Sequence, residues 1–512
     1  MRKKILALAA LPLVLAFLGG CGSSGHSTPP PSNNVPVVLS ISDTAAAAGE
    51  SLPAGVNLIS VQASVTGACL LTLSDSSTAA CPVGQSLLPS GASVQFSALT
   101  NPSQLDTLSN TAVTANTYVS LALMFGSPIS ETISVDPGAN FTDGTNSCDN
   151  TLGTTPLICQ ISPVVSTTTA VVTFASPITL TAGTPASFIV GLDVTGSTVA
   201  TGTAPATLSF NPVVTVTQGA VGADGNLIDV NNVSGTVSSI GGGLITLTDN
   251  ATGLPLTLNT GSATVTNYPM NATTCTTANT LTCIQVGDLV TLSYGASNAN
   301  PVQFTAINIA GNPGITSAGG FQGTIVEAGA TPEVVVTAVP AGSIIGLSGV
   351  GQVLSLNAAS AVFSNSTGLP LPVGSFASAS DLVVGQNVFV DVCPLVGGVA
   401  TCSYTPPVVG PPAVIGSVTA DAIELLPSNV SGLFTAPAAP NFTVTGLNSF
   451  YTGNGVTSLF GSTSASTVYS GTVSAGFSAL VPGNTYFYTG YLANSGTAAQ
   501  PDLITTGIFG NE

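Results

Sequence analysis

Short apolar segments rich in β-branched residues alternate with polar residues along the chain from about Val35 onward. Examples are residues 37–41, 57–65, 118–124 and 208–216, with Gly, Pro or Asn between the segments. A period of two places successive side chains on opposite faces of a strand, and turn residues recur at intervals typical of sandwiches and barrels. The spacing of apolar residues that indicates a helix is almost absent. The pattern therefore predicts an all-β protein.

The first twenty residues follow a different pattern. Three cations at residues 2–4 precede an apolar run that is too short to span a membrane. The run ends in Leu-Gly-Gly-Cys at residues 18–21, which resembles the lipobox of bacterial lipoproteins. The resemblance implies a signal peptide over residues 1–20, cleavage between Gly20 and Cys21, and lipidation of Cys21. The alternative is an ordinary signal peptide cut near Gly20, which leaves an unpaired cysteine in an exported protein.

Residues 21–34 are rich in Ser and Gly and contain three consecutive prolines. This composition predicts a tether that is first flexible and then stiff. Gly22, rather than Asp, follows Cys21, which in lipoproteins resembles the pattern of an outer-membrane destination. We therefore expect a lipid-anchored protein of the cell envelope, at the outer membrane, that contacts the membrane through its lipid anchor.

The charge distribution excludes several classes of function. All Lys and Arg residues lie at positions 2–4, so the predicted mature chain has 21 acidic residues and its net charge changes from -18 to -21. Nucleic-acid binding is excluded because phosphate contacts depend on Lys and Arg. The sole histidine, His26, lies in the tether, so the folded part lacks the residues for a Ser-His-Asp triad, a His-based zinc site or a Lys Schiff base. We predict that the protein is not an enzyme; a glycoside hydrolase with paired carboxylates is the third hypothesis.

The eight cysteines that follow Cys21 fall in four close pairs along the chain. In an exported protein this clustering favours four local disulfides that hold loops. The alternative, a metal or redox site, lacks both a Cys-x-x-Cys motif and a histidine. The predicted pairs are Cys69 with Cys81, Cys148 with Cys159, Cys275 with Cys283, and Cys393 with Cys402.

Several segments between residues 35 and 218 form a pattern of their own. They are the opening residues 38–43, the strand-like segments 57–65, 94–99 and 116–123, and the closing segment 188–193 with Pro212. Together they resemble the bacterial lipoprotein family called domain of unknown function 4382. The chain departs from that family in having Asn116 and Thr117 where Gly usually precedes the tyrosine, and in two insertions bounded by cysteines. The resemblance implies a prealbumin-like β-sandwich over residues 35–218 and carries no known activity.

The chain repeats itself after residue 218. Similar motifs open at Val233, Phe321 and Val430, and a later motif places Gly287, Gly385 and Gly483 at one spacing of 98 residues. Gly followed by Asp, Gln or Asn is typical of a tight turn that needs a positive φ. We predict three small β-barrel or sandwich repeats, over residues 226–312, 319–425 and 428–512. These repeats resemble other small lipoprotein domains of unknown function.

Two places in the sequence are candidate ligand sites. Asp143, Asn146 and Asp149 offer oxygen ligands to Ca²⁺, although the same residue types are typical of turns; apart from calcium, we expect no cofactor. In the aromatic-rich last repeat, Tyr486 and Tyr488 share one face of a predicted strand, with Tyr491 close by. If exposed, this face is a stacking platform for sugar rings. The alternative is aromatic packing across strands.

Two functions are consistent with these observations. The first is a lipid-anchored envelope protein with a structural, adhesive or interaction role, which contacts other molecules through polar surfaces that carry few charges. The second is a surface lipoprotein that binds glycans. We expect glycans or envelope proteins as partners, and no nucleic acid.

Overall fold

The protein is described by a computed structural model. It describes residues 33–43, 52–75, 81–88, 94–98, 105–126, 129–154, 157–249, 254–261, 263–266, 275, 277–311, 319–339, 351–365, 371–372, 374–392, 395–396, 399–400, 402–406, 415–447, 449–497 and 499–510. The chain divides into two compact units, Met1–Ser32 and Asn33–Glu512, and the first lies outside the described residues. The second is nearly all β, which confirms the predicted fold class of a β-sandwich followed by small barrel-like repeats.

The sandwich begins at Asn34 and ends at Gln218. Its one helical turn, α1 (Val194–Ser197), starts after Asp193, whose carboxylate accepts a hydrogen bond from the backbone N–H of Gly196. The strands are β1 (Asn34–Asp43), β2 (Val56–Leu71), β3 (Val94–Ala98), β4 (Asp106–Thr114), β5 (Thr117–Phe125), β6 (Ser130–Val135), β7 (Asn140–Thr142), β8 (Ser147–Asp149), β9 (Leu157–Ile161), β10 (Val164–Val165), β11 (Thr169–Thr179), β12 (Ala186–Asp193), β13 (Thr198–Thr201), β14 (Ala206–Phe210) and β15 (Val213–Gln218).

These strands form three sheets. The first has the order β15-β12-β1-β4, and the second has the order β11-β5-β2-β6-β9 with β3 paired to β2. The third is small, with the order β10-β14-β7-β8 and with β13 paired to β14. Leu39, Leu121 and Phe188, from the first and second sheets, are fully buried in one core. The alternating pattern of these strands thus places one face of each sheet in the interior.

Three groups of strands follow the sandwich, which we call repeats 1, 2 and 3. Repeat 1 contains β16 (Asn226–Gly241), β17 (Leu244–Asp249), β18 (Pro255–Asn259), β19 (Thr264–Thr266), β20 (Leu289–Ser297) and β21 (Phe304–Gly311). Repeat 2 contains β22 (Gly320–Glu327), β23 (Glu333–Ala338), β24 (Val353–Asn357), β25 (Val362–Asn365), β26 (Asn387–Asp391), β27 (Leu395–Val396), β28 (Val399–Ala400), β29 (Tyr404–Thr405), β30 (Gly416–Thr419) and β31 (Ala422–Leu426). Repeat 3 contains β32 (Ser428–Ala438), β33 (Asn441–Thr445), α2 (Ser449–Gly453), β34 (Leu459–Ser462), β35 (Val468–Gly471), β36 (Thr485–Ala493) and β37 (Asp502–Gly510).

Repeat 1 closes into a small barrel. Its first strand, β16, pairs with β17 and β20, β17 pairs with β18, and β21 pairs antiparallel with β20 and parallel with β18. This is the connectivity of the OB fold, a five-stranded Greek-key barrel, with the short β19 added beside β21. Repeat 3 has the same connectivity. In repeat 2 the last strand is divided into β30 and β31, which keep the parallel pairings to β24 and β25.

The glycines that recur in the sequence have the same roles in each repeat. At Gly235, Gly323 and Gly432 an added Cβ would collide with an apolar side chain of the next strand, such as Val444 beside Gly432. The second set has positive φ angles of 95°, 88° and 91° at Gly287, Gly385 and Gly483. Each lies in the turn that follows a short 3₁₀ helix, namely Leu281–Cys283, Ala379–Asp381 and Phe477–Ala479. The glycines are therefore required by close strand contact and by a left-handed turn.

The repeats share their cores with neighbouring parts of the protein. One continuous cluster of buried residues contains Leu39 of the sandwich, Val335 of repeat 2 and Phe434 of repeat 3. The core of repeat 1 includes Val38 of the sandwich, and the core of repeat 2 includes Tyr491 of repeat 3. The second unit is thus one compact body with buried contacts between its parts, rather than a string of separate domains.

Candidate functional sites

The predicted anchor and signal lie outside the described residues. This applies to Gly20, to Cys21 and to His26. The first described strand, β1, starts at Asn34, the last residue of the predicted tether. In the part of the chain that the structure describes, no helix combines the length and the apolar composition needed to cross a membrane. Cleavage before Cys21 and lipidation of its thiol stay predictions.

Three of the four predicted cysteine pairs are confirmed as disulfides. Cys402 is also disulfide-bonded, while Cys393 lies outside the described residues. The first disulfide holds a loop on the outer face of the second sheet, where the two cysteines pack with Leu71, Ala122 and Met124. It thereby fixes a loop over an apolar patch of the sheet. The three bonds are Cys69–Cys81, Cys148–Cys159 and Cys275–Cys283, with Cα atoms 5.4, 5.9 and 4.5 Å apart.

Hydrogen bonds hold the loop of the calcium hypothesis. Asp143 Oδ1 accepts from the backbone N–H groups of Thr145 and Asn146, at 2.8 and 2.6 Å. Its Oδ2 accepts from the side chain of Asn146 at 2.9 Å and from the backbone of Ser162 at 2.8 Å. Burial acts to raise the pKa of Asp143, but these hydrogen bonds outweigh burial and hold the pKa below its usual value. The Asp143 carboxylate therefore stabilises a turn.

Asp149 is also engaged locally, because it accepts hydrogen bonds from the backbone and the hydroxyl of Thr151, at 3.0 and 2.7 Å. Within the described residues, no three His, Cys, Asp or Glu side chains are grouped as metal ligands. Calcium binding by Asp143, Asn146 and Asp149 stays a prediction.

The three tyrosines of the stacking-platform hypothesis are buried, so that hypothesis is wrong for these residues. Tyr486, Tyr488 and Tyr491 are 4%, 0% and 4% exposed. Tyr488 stacks on Phe442 with ring centroids 5.5 Å apart, and Tyr486 meets Phe434 edge-on at 6.3 Å. Both rings pack on aromatic side chains of β32 and β33 in the main core, so the face shared by Tyr486 and Tyr488 points into the barrel. The alternative, aromatic packing across strands, is confirmed.

Two aspartates of repeat 1 meet a serine of repeat 3. Ser470 Oγ, on β35, lies 2.5 Å from Asp229 Oδ2 and 3.0 Å from Asp224 Oδ2. The backbone N–H of Gly471 donates to the same Asp224 oxygen at 3.1 Å. The Asn226 side chain donates to both carboxylates, at 3.2 Å for Asp224 and 2.9 Å for Asp229. Groups from two ends of the repeat region therefore form one hydrogen-bond network, which we call the aspartate pair.

The aspartate pair lies at the edge of the interior. Asp229 and Ser470 are buried, whereas Asp224 is exposed. Burial, together with the negative charge of Asp224, raises the pKa of Asp229 to about 7. Partial burial acts to raise the pKa of Asp224 too, but the hydrogen bonds from Asn226 and Gly471 outweigh burial and lower the pKa. The pair therefore holds one proton in mildly acidic solution, and that proton resides on Asp229.

A further buried acid lies inside the sandwich. Glu131, on β6, is 0% exposed, and its Oε1 accepts a hydrogen bond from Thr198 Oγ1 at 3.2 Å. Its Oε2 has no hydrogen-bond partner among the described residues. Burial raises the pKa of Glu131 to about 8, and the Thr198 hydrogen bond offsets only part of this effect. Glu131 is therefore mostly protonated at neutral pH.

The hypothesis of a carboxylate hydrolase requires two carboxylates in a cleft. A groove of about 650 Å³ on the sandwich is lined by Leu73, Val119 and Pro177 together with hydroxyl and amide side chains. A cavity of about 30 Å³ between repeats 1 and 2 is lined mostly by polar side chains, among them Ser234 and Gln322. Neither of these two cavities has a carboxylate in its lining, so they give the hypothesis no support.

An exposed aromatic ring lies on the outer face of repeat 3. Phe460, on β34, is 42% exposed. It is the most exposed of the aromatic side chains whose burial the structure describes. Thr443 lies opposite Phe460 on β33, and Asp502 lies beside it on β37. Partial burial raises the pKa of Asp502. The face therefore combines an apolar ring, a hydroxyl and a carboxyl group.

Sequence reasoning missed these acids and this ring, although the sequence contains one usable signal. Glu131 alternates with Ile129 and Ile133, which are both 0% exposed, so the period of two already places the acid on the buried face. The aspartate pair has no such signal, because Ser470 is 241 residues from Asp229. The exposure of Phe460 likewise depends on how the barrel closes.

No protein-family model matches this chain, and no curated protein matches it. The class of the protein therefore follows from its fold, an all-β sandwich joined to three barrel-like repeats. The resemblance of residues 35–218 to domain of unknown function 4382 stays a prediction.

Proposed function

We propose that this chain is a lipid-anchored protein of the cell envelope, held at the outer membrane through Cys21, with a structural, adhesive or interaction role. The lipobox-like sequence at residues 18–21 supports the anchor, and the composition of residues 21–34 supports a tether. In this proposal residues 35–218 are a sandwich of the domain of unknown function 4382 type.

The observation that carries the proposed role is the chemistry of the exposed sheet faces. On repeat 1, Thr246 and Thr257 are cross-strand neighbours whose exposed hydroxyl groups lie 3.0 Å apart. On the sandwich, Thr117 and Thr179 form an equivalent exposed pair, also 3.0 Å apart. A sheet face covered with hydroxyl groups forms hydrogen bonds with neutral polymers and protein surfaces and repels neither. Such faces suit contact with glycans or envelope proteins.

The anchor is tested by metabolic labelling with palmitate in a Gram-negative host that expresses the full chain. The wild type should incorporate label and partition with the outer membrane, and Cys21→Ala should lose both properties. The matched control, Cys393→Ala with Cys402→Ala, removes two other cysteines and should retain both. Label in the Cys21→Ala variant, or its absence from the wild type, would overturn the proposed anchor.

Glycan binding is the second candidate function, and the face around Phe460 favours it. Sugar rings stack on flat aromatic side chains, and a carboxylate accepts hydrogen bonds from sugar hydroxyl groups. The face lies on the second and third strands of an OB-type barrel, the surface on which such barrels bind oligosaccharides. Phe460→Ala should abolish retention of the protein on a panel of neutral polysaccharides. Leu73→Ala, which removes an exposed apolar side chain of the sandwich, should not. No retention of the wild type on any polysaccharide would refute this candidate.

A further inference from the structure

We propose that Asp224, Asp229 and Ser470 form a proton-dependent latch that holds strand β35 of repeat 3 against repeat 1 and releases it as the pH rises. This inference is independent of lipid anchoring and of glycan binding. It assigns a conformational role to a cluster of groups at the contact between two repeats.

The position of β35 makes it the movable partner. This four-residue strand lies at one end of the sheet of repeat 3 and pairs only with β37. On its other side, the Ser470 hydroxyl and the Gly471 N–H point to the carboxylates of repeat 1. Close backbone contact supports the fit, because a Cβ on Gly222 would lie 3.1 Å from the Cα of Gly471. The latch therefore adds to the other attachments of this edge strand, which are its pairing with β37 and the packing of Tyr469 against the main core.

Around the aspartate pair, the proton on Asp229 is the one that determines whether the latch is closed. The negative charge of Asp224 raises the pKa of Asp229. On the packed elements, β20 places Tyr294 next to the cross-strand neighbour of Asp229, and β35 places Tyr469 before Ser470. Neither β20 nor β35 contains an Asp, Glu, Lys, Arg or His. No Lys or Arg follows Lys4 in the sequence, so none from the folded part can neutralise a second negative charge.

The sign of the effect follows from linkage. With the latch closed, Asp229 keeps its proton up to about pH 7; with the latch open and Asp229 in water, it ionises at its usual pKa of 3.8. The open state therefore binds fewer protons between these values, and rising pH favours it. Each pH unit in this window raises the equilibrium constant for opening up to tenfold, and the effect levels off above about pH 7. Opening is thus suppressed in acid and reaches its maximum near neutral pH.

Hydrogen–deuterium exchange with mass spectrometry on the full mature chain tests the latch. Protection factors, corrected for the chemical exchange rate, are compared at pH 5, 6 and 7 in peptides that contain Gly471. Protection should fall by up to about 50-fold between pH 5 and pH 7. A change of less than about threefold in the Gly471 peptides would refute the latch.

Two variants separate the latch from general stability. Asp229→Asn is neutral at every pH and should make protection around Gly471 independent of pH. Glu131→Gln removes a different buried acid and should leave the response around Gly471 unchanged. If Asp229→Asn responds like the wild type, the proposal is wrong. If Asp229→Asn does not fold, the wild-type pH series alone decides, because it needs no variant.

Discussion

Replacing Glu131 by Gln tests whether a protonated carboxyl group lies in the core of the sandwich. Gln has the same shape, is neutral at every pH, and can still accept the Thr198 hydrogen bond through its Oε1 atom. Its amide group then occupies the position of Oε2, which has no hydrogen-bond partner among the described residues. The substitution therefore removes the ionisation and preserves the packing. Burial of the amide group lowers the free energy of unfolding by about 1 kcal/mol, and this amount does not depend on pH.

The size of the effect follows from the two pKa values. The folded chain keeps the Glu131 proton up to about pH 8, whereas in the unfolded chain the carboxyl ionises at its usual pKa of 4.5. Between these values the unfolded state binds fewer protons, so the free energy of unfolding of the wild type falls as the pH rises. The whole difference is worth about 5 kcal/mol. Burial also raises the pKa of Asp229 and Glu333 to about 7, but their contributions cancel when wild type and variant are compared.

The assay is urea unfolding followed by far-UV circular dichroism, at pH 5, 6.5 and 8 and at constant ionic strength. From pH 5 to pH 8, the stability of Glu131→Gln relative to the wild type should rise by about 4 kcal/mol. The pH 5 measurement is an internal control for packing changes, because there both side chains are mostly neutral in the folded state. A relative stability that changes by less than about 1 kcal/mol over this range would mean that Glu131 is already ionised in the folded protein.

Three further predictions concern the repeats and the composition. Gly432→Ala should lower the free energy of unfolding by about 1–3 kcal/mol, because the added methyl group meets Val444 and a backbone carbonyl. The control Gly241→Ala, where an added Cβ meets nothing within 4 Å, should change the free energy of unfolding by less than about 0.5 kcal/mol. Equal effects of the two substitutions would contradict the close strand contact at Gly432. Tyr488→Phe should not destabilise the protein, since the buried hydroxyl has no hydrogen-bond partner among the described residues; a loss above about 1 kcal/mol in thermal unfolding would reveal a partner. Trypsin should leave the chain after Cys21 uncut even in urea, because no Lys or Arg follows Lys4; discrete fragments on a gel would show that this expectation is wrong.

The fold was predictable because its requirements are local. Strand alternation depends on neighbouring residues, and the spacing of Gly287, Gly385 and Gly483 reflects a left-handed turn that side chains other than Gly rarely adopt. The local cysteine pairs were predictable for a similar reason, since each closes a loop of at most 12 residues. The shared core was not predictable in this way. Val38 and Val335 lie in short apolar runs, which indicate burial on both faces of the strand, but the runs do not say which part of the protein covers the second face.

The candidate sites depend on contacts that the sequence does not contain. Alternation correctly places Tyr486 and Tyr488 on one face of β36, but it does not say which face of a closed barrel lies inside. Phe460 became the exposed ring for the same reason, because its strand presents it outward. The aspartate pair forms only when the ends of repeats 1 and 3 meet at Ser470. The sequence therefore leaves open whether an aromatic face lies inside or outside a barrel, and it gives no signal that Phe460 is exposed.

The place of β1 in the first sheet has a mechanical consequence. In the proposed lipid-anchored protein, a pull on the tether would enter the folded part at Asn34, the first residue of β1. This strand is not at an edge, because it is hydrogen-bonded to β12 on one side and to β4 on the other. Tension along the strand loads both ladders in shear, so many hydrogen bonds must break together rather than one after another. A protein fixed by Cys21 and dragged by flow or by a bound neighbour would transmit the force to the middle of a sheet, where it resists unravelling best.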